Sequence, residues 1–125
     1  MSRDMKEKEY DMILPIKKKW FDMILSGEKK EEYREKNKYY YTRFRNIALN
    51  KDIPRLWRHT VIPPSDSNAI FKVLFRNGYS SYSPSFVATV KLRLGFGKPE
   101  WGAEVGKKYF VLSIIKIEKK EGGNL

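Results

Sequence analysis

Three side chains that can do chemistry follow the first glycine of the chain at short spacing. Lys29, Glu32 and Arg34 come after Gly27 in the pattern G-x-K-x-x-E-x-R. Residues two apart in a strand share a face, so Glu32 and Arg34 should project together while Tyr33 points the opposite way. Lys29 is three residues before Glu32, an odd spacing, so in a continuous strand it would lie on the opposite face. It can join the pair only from the turn before the strand, where its long stem can swing across the end of a helix.

These three residues support two interpretations. They can bind a polar planar ligand, with Arg34 as a forked donor, Glu32 as an acceptor and Lys29 as a point charge or base. They can also form an internal ion-pair cluster that pins a helix to a strand. From the spacing alone, the internal cluster is favoured.

The segments around this motif predict the elements that position it. An apolar face repeats at helical spacing over Ile16, Trp20, Met23 and Ile24. The pattern predicts a helix with three lysines, residues 17–19, at its start. Gly27 lies just past the last apolar position, where it can adopt the left-handed conformation that caps a helix. Residues 30–34 should then form a strand.

The rest of the chain predicts one further helix and several strands. A second helix is expected over residues 38–49, with an apolar face that includes Tyr40 and Phe44. Residues 50–68 hold three prolines and predict a long loop with a short strand at 56–62. Residues 71–75 and 86–94 alternate as half-buried strands, and 109–117 predicts a central strand covered on both faces. The glycine-rich connection before that last strand predicts a loop and not a helix.

These elements predict an α+β fold, a small and mostly antiparallel β-barrel flanked by two or three helices. A chain of 125 residues with 41% hydrophobic residues has room for one core. We therefore expect a charged N-terminal tail over residues 1–10, a single domain over 11–118 and a C-terminal tail over 119–125.

Several classes of chemistry are excluded or disfavoured by composition. The chain has no cysteine, which rules out disulfides, thiolate nucleophiles and cysteine-bound zinc. His59 is the only histidine and lies in the irregular segment, so we expect a surface residue and neither a zinc site nor a serine triad. Glycine-rich phosphate-binding motifs are incomplete at Gly95-Phe96-Gly97 and at Gly106-Lys107-Lys108. We predict no metal and no cofactor.

The charge of the chain is compatible with a nucleic-acid partner but does not by itself select one. The formal net charge is +11, and residues 36–98 carry twelve Lys and Arg against Asp52 and Asp66. Aromatic residues are interleaved in this basic region: Tyr39, Tyr40, Tyr41, Phe44, Trp57, Phe75, Tyr79 and Tyr82. The combination suits a phosphate backbone with stacked bases, although a solvated basic surface around an aromatic core would have the same composition.

No membrane partner is expected. The first ten residues are densely charged, and the longest apolar run is Met12 to Ile16, far short of a bilayer span. The expected location is cytoplasmic.

The motif and its context resemble the ASCH family, small domains of PUA-like barrel fold that are associated with RNA and nucleosides. The resemblance runs from about Asp11 to Ile117 and is closest to small bacterial and phage members. It is carried by G-x-K-x-x-E-x-R after a capped helix and by these further segments: Ile13-Leu14-Pro15-Ile16, Trp20-Phe21, Phe75-Arg76-Asn77-Gly78-Tyr79 and Lys98-Pro99-Glu100-Trp101-Gly102-Ala103.

The resemblance implies a charged cleft after the first helix that binds RNA or a modified nucleoside. Its ligand-binding residues would be Gly27, Lys29, Glu32, Arg34, Arg76, Asn77, Gly78, Tyr79 and Trp101. The residues themselves suggest that Asn77-Gly78 forms a tight turn, and the resemblance implies that this turn lies near the cleft. Trp101 would be either a stacking platform or, as we favour slightly, a staple that holds its loop on the barrel.

The resemblance also implies two possible reactions. Some members hydrolyse the acyl amide of an N4-acylated cytidine, and metal-independent ribonuclease activity is associated with others. Lys29 and Glu32 are therefore candidate catalytic residues. The amide hydrolases have a Thr at the position of Glu32, and a carboxylate there can act as a general base but not as a hydroxyl nucleophile. A protein-interaction module without ligand chemistry is the remaining alternative.

Overall fold

The computed structural model describes residues 9–50 and 69–121. In this part of the chain, five strands form one mixed sheet. They are β1 (Met12–Ile16), β2 (Glu31–Arg34), β3 (Ile70–Asn77), β4 (Ser85–Phe96) and β5 (Lys108–Glu121).

The strand order is β1-β3-β4-β5-β2, so β1 and β2 are the outer strands of this sheet. β1 pairs with β3 in parallel, whereas the β3–β4, β4–β5 and β5–β2 pairings are antiparallel. The sheet curls into a half-barrel with two flanking helices, α1 (Lys18–Ser26) and α2 (Lys38–Asn50). The predicted α+β, mostly antiparallel barrel-like fold is therefore confirmed.

Helix α1 forms where the apolar spacing predicts it. It buries Phe21 and Ile24 against the sheet, and its end is capped by Gly27 at φ 88°, whose N–H donates to the Ile24 carbonyl. The left-handed backbone at Gly27 turns the chain sharply toward β2. The predicted cap is confirmed.

The main core lies between the helices and the concave side of the sheet. Phe44 of α2 is fully buried and its ring lies 5.1 Å from that of Phe110 on β5. Phe21 of α1 similarly packs against Phe86 of β4 at 5.0 Å. A second, smaller cluster consists of Tyr33, Ala103, Tyr109 and Val111, with Trp101 packed against it.

Three expectations about the last part of the chain differ from the structure. The glycine-rich connection contains a single 3₁₀ turn, Pro99–Trp101, because Pro99 suits the first helical position and Gly102 closes the turn at φ 103°. β5 is covered on both faces only near its start, and Ile115 is 52% exposed. The strand also continues to Glu121, opposite Ser85, so it enters the segment predicted as a tail.

The connection between β3 and β4 also differs from the prediction. Asn77 belongs to β3, and the connection runs from Gly78 to Pro84, longer than the tight turn expected on Asn77-Gly78. The Asn77 N–H donates to the Pro84 carbonyl at 2.9 Å, which closes the loop at its base. Gly78 adopts φ 113°, a conformation that side chains disfavour.

Some predictions lie outside the described residues: the strand at 56–62, Trp57 and His59. Neither of the two helices described here is long and apolar enough to cross a membrane.

Candidate functional site

Lys29, Glu32 and Arg34 form a charged trio at the junction of α1 and β2. Lys29 Nζ lies 3.1 Å from Glu32 Oε1, and Arg34 Nη1 lies 3.0 Å from Glu32 Oε2. The side chains of Lys29 and Glu32 are only 1% and 6% exposed, and that of Arg34 is 17% exposed. Tyr33 points to the other face, into the small cluster, as strand parity predicts.

Lys29 reaches the trio from the turn that follows Gly27. Its backbone N–H donates to the Met23 carbonyl at 2.9 Å, and its ammonium donates to the Trp101 carbonyl at 2.7 Å. The same ammonium lies 4.7 Å from the Trp20 ring and 4.9 Å from the Tyr33 ring. Burial lowers the pKa of Lys29 from its ordinary value, and the Glu32 carboxylate opposes that shift. Lys29 therefore ties α1, β2 and the 3₁₀ turn together.

Arg34 joins β2 to the far edge of the sheet. Its Nη2 donates to the Pro15 carbonyl of β1 at 3.1 Å, and its guanidinium lies 5.8 Å from the Tyr40 ring. Among the described residues, Arg34 Nε and Glu32 Oε1 have no hydrogen-bond partner, although Oε1 is in ion-pair contact with Lys29. The buried Nε of Arg34 thus keeps an unused donor, whereas Glu32 Oε1 is engaged by the Lys29 ammonium.

A cleft of about 630 Å³ opens beside Glu32 and Arg34. Its walls come from the end of β1, from α1, from β2, from the start of α2, from the loop after β3 and from the region of the 3₁₀ turn. Its aromatic and charged lining residues are Lys17, Trp20, Glu32, Tyr33, Arg34, Glu35, Tyr40, Tyr79, Trp101, Glu104 and Tyr109. Aromatic rings and a few charged groups therefore make up most of the lining.

The structure brings six of the predicted ligand-binding residues to this cleft: Glu32, Arg34, Asn77, Gly78, Tyr79 and Trp101. Three others do not line it. Gly27 caps the helix, Lys29 contacts Glu32 without facing the cleft, and Arg76 lies on β3 with its Nε buried. Trp101 packs against the small cluster, as a residue that anchors its loop would, and it also lines the cleft. Its role as a stacking platform stays a prediction.

Sequence reasoning missed several lining residues. Trp20 is predicted only as part of the apolar face of α1 and of the resemblance, and Tyr40 only as part of the apolar face of α2 and of the aromatic residues in the basic region. Glu35, Glu104 and Tyr109 were not considered as site residues. A tryptophan that follows three lysines could have identified Trp20 as a site residue. The other missed residues could not be identified in this way, because their place in the cleft depends on how β1, β2 and β5 assemble.

Cations of the protein itself cover the aromatic rings of the cleft. Lys29 lies over Trp20 and Tyr33, and Arg34 lies over Tyr40. Three further contacts of this kind are Lys19 over Trp20 at 4.7 Å, Lys98 over Trp101 at 4.7 Å and Lys107 over Tyr109 at 5.3 Å. The rings are therefore polarised by groups that belong to the fold.

One rim of the cleft is acidic although the protein is basic. Glu35 and Glu104 both line the cleft, and they share a single cation. Lys107 Nζ lies 2.8 Å from Glu35 and 3.9 Å from Glu104. Contact with Glu35 raises the pKa of Lys107, so this lysine stays charged. On the rim near β1, by contrast, the charged lining residue is Lys17.

The hydroxyl of Tyr33 is committed to a structural network. It donates to Glu31 Oε1 at 2.8 Å and accepts the Lys98 N–H at 2.9 Å, while Arg93 pairs with Glu31 at 2.8 Å. Burial raises the pKa of Tyr33, which keeps the phenol protonated. Tyr33 therefore offers the cleft its ring and not a reactive oxygen.

Within residues 9–50 and 69–121, no three His, Asp or Glu side chains come together as metal ligands. Comparison of the chain with protein-family models, with curated proteins and with solved structures gives no match.

Proposed function

We propose that this chain is an ASCH-type domain that binds a nucleobase, from RNA or from a nucleoside, in the cleft beside Glu32 and Arg34. One observation supports the proposal: a largely buried carboxylate–guanidinium pair lies in a cleft that six aromatic residues also line. Base edges present hydrogen-bond donors and acceptors side by side, which suits a site with both an acceptor and a forked donor. The flat faces of a base suit the aromatic walls.

The charges around the rings favour an uncharged base. An aromatic cage for a cation needs free ring faces. Here Lys29 and Arg34 already lie over Trp20, Tyr33 and Tyr40, so a cationic ligand would meet protein cations behind those rings. A neutral heterocycle avoids this repulsion and still gains stacking contacts.

The acidic rim disfavours phosphate inside the cleft. Two carboxylates, Glu35 and Glu104, share Lys107 there. A phosphate brought to this rim would be repelled by the carboxylate that Lys107 does not neutralise. We therefore place the base inside and its sugar and phosphate toward Lys17.

Binding is better supported than hydrolysis. The Lys29 ammonium donates to the Trp101 carbonyl and pairs with Glu32, and Lys29 is not among the residues that line the cleft. A catalytic base must come within hydrogen-bond reach of the proton it removes. We assign Lys29 to holding Glu32 in place. Of the two candidate catalytic residues, only Glu32 then lines the cleft, where it is paired with Arg34.

The test is isothermal calorimetry with a panel of nucleosides, including N4-acetylcytidine, on the wild type and on Glu32→Gln. We expect saturable binding of at least one nucleoside and a loss of about tenfold or more in affinity in the variant, since each 1.4 kcal/mol of lost hydrogen bonding corresponds to a factor of ten. Arg34→Lys, which keeps the charge but loses the fork, should weaken the same nucleoside.

Glu118→Gln is the matched control, because Glu118 pairs with Lys72 and is not among the cleft residues. Thermal melts establish that each variant is folded. Absence of binding by every nucleoside, or equal binding by wild type and by both cleft variants, would overturn the proposal. Chromatography of the N4-acetylcytidine mixture checks for turnover.

A further inference from the structure

Two tyrosines on the loop beside the cleft are left almost entirely in water. Tyr79 and Tyr82 are each 88% exposed, the most exposed aromatic side chains among the described residues. Both lie in the Gly78–Pro84 connection, and Tyr79 also lines the cleft. Exposed aromatic rings on a loop beside a cleft are suited to stacking.

The loop that carries them is held by its own hydrogen bonds. The Asn77 N–H donates to the Pro84 carbonyl at 2.9 Å, and the Ser83 N–H donates to the Ser80 carbonyl at 3.0 Å. The Tyr82 N–H donates to Ser80 Oγ at 3.0 Å. Because the backbone on either side of Tyr82 is fixed in this way, little ordering of the loop is needed when the ring gains a partner.

A lysine lies at the same end of the sheet. β1 and β3 run in parallel with Ile16 opposite Asn77, so Lys17 and Gly78 leave the two strands side by side. Lys17 is exposed and lines the cleft, as does Tyr79. The next two lysines have other contacts, since Lys18 pairs with Asp22 at 2.6 Å and Lys19 lies 4.7 Å from the Trp20 ring.

We propose that Tyr82 and Lys17 form a second subsite, which binds the nucleotide next to the base held in the cleft. This inference rests on the proposed function and narrows its ligand to single-stranded RNA. The neighbouring base stacks on Tyr82, and the connecting phosphate lies at Lys17. The acidic rim at Glu35 and Glu104 disfavours a path of the RNA along that side of the cleft. The sugar–phosphate backbone of the RNA therefore leaves the cleft on the β1 side.

The test compares a nucleoside that binds the cleft with a single-stranded tetranucleotide that contains the same base, by calorimetry. The tetranucleotide should bind the wild type about tenfold more tightly or better, as stacking one further base allows. Tyr82→Ala should remove most of that gain and leave the nucleoside affinity unchanged. Tyr39→Ala is the matched control, since Tyr39 is 57% exposed on α2 and is not a cleft residue.

Lys17→Ala tests the phosphate contact separately. It should lower the slope of log affinity against log salt for the tetranucleotide by about 0.7, the value for one phosphate contact on a single strand. Because Lys17 and Tyr82 are both exposed, neither substitution should prevent folding.

The second subsite is refuted if the tetranucleotide binds no more tightly than the nucleoside, or if Tyr82→Ala and wild type bind it equally. Failure of the proposed function looks different. In that case no nucleoside binds and Glu32→Gln leaves tetranucleotide affinity unchanged, while a Tyr82→Ala effect on the tetranucleotide would still support stacking on the loop.

Discussion

Two sets of ion pairs in this protein have nearly the same contact distances but differ strongly in burial. The trio of Lys29, Glu32 and Arg34 has contacts of 3.1 and 3.0 Å at the cleft, and the pair Lys72–Glu118 has a contact of 3.0 Å on another part of the sheet. Side chains of the first group are 1–17% exposed, whereas Lys72 is 46% and Glu118 21% exposed. Thr89 also donates a hydrogen bond to Glu118.

Because the contact distances are nearly equal, the expected contributions of these ion pairs to stability differ through burial and not through distance. Water screens Lys72 and Glu118, so their attraction is largely offset by the ordering of two long side chains. The trio has lost most of its hydration, and each member depends on the others for compensation. The buried group is therefore costly to break and well placed to hold a carboxylate in one position beside a ligand.

The largest expected effect comes from removing the central carboxylate of the trio. Glu32→Ala leaves Lys29 and Arg34 without their shared partner, so the free energy of unfolding should fall by about 3–5 kcal/mol. Urea denaturation followed by circular dichroism measures this loss. Glu118→Ala is the matched substitution on the exposed pair and should cost about 1 kcal/mol or less. Equal losses in the two variants would contradict the comparison.

A smaller loss of stability is expected from substitution of Gly27, whose left-handed turn brings the chain to Lys29. Gly27→Ala puts a side chain at φ 88°, where nothing lies within 4 Å of the added carbon, so the loss is backbone strain of about 1–2 kcal/mol. Gly106→Ala has the same open surroundings at φ 82° and should cost about as much.

The two glycine variants differ in their effect on the cleft. Only Gly27 precedes Lys29, so calorimetry should find weaker nucleoside binding in Gly27→Ala and unchanged binding in Gly106→Ala. If both variants bind like the wild type, the turn after α1 does not control the position of the trio.

The smallest effect concerns pH and the exposed pair. The hydrogen bond from Thr89, together with Lys72, lowers the pKa of Glu118 below its ordinary value of 4.5. A carboxylate with a lowered pKa stabilises the folded state above the unfolded pKa and loses that contribution as pH falls through the folded pKa. Glu118→Gln should therefore match the acid-side stability of the wild type near pH 2 and fall slightly below it at pH 6. Urea midpoints at the two pH values measure the difference, and a constant gap would contradict it.

Local sequence rules predicted the trio well. Alternation in β2 was enough to place Glu32 and Arg34 on one face and Tyr33 on the other, and Gly27 was enough to end α1. Because Lys29 is an odd number of residues from Glu32, it could not share its face in a continuous strand. This led to the correct expectation that Lys29 reaches the trio from the turn. These features depend on neighbours within a few residues.

The walls of the cleft could not be predicted in the same way. The contact of Arg34 with Pro15 joins the first and last strands of the sheet order, and Glu104 and Tyr109 come from a distant part of the chain. Arg76 was placed at the site by its position before Asn77-Gly78, but β3 extends beyond it and Arg76 does not line the cleft. Such errors arise because sequence spacing carries no information about which strands become neighbours.

The hydrogen bond from Arg34 to the Pro15 carbonyl has a consequence for how the half-barrel opens. β1 and β2 are the two outer strands of the described sheet, and this contact spans the gap between them. Backbone amides of edge strands exchange with solvent when the strands detach locally. A ligand that binds Arg34 restrains the side chain that links the two strands. It should therefore slow amide hydrogen exchange in β1 and β2 together, so that the two edges of the sheet open to solvent in one cooperative step.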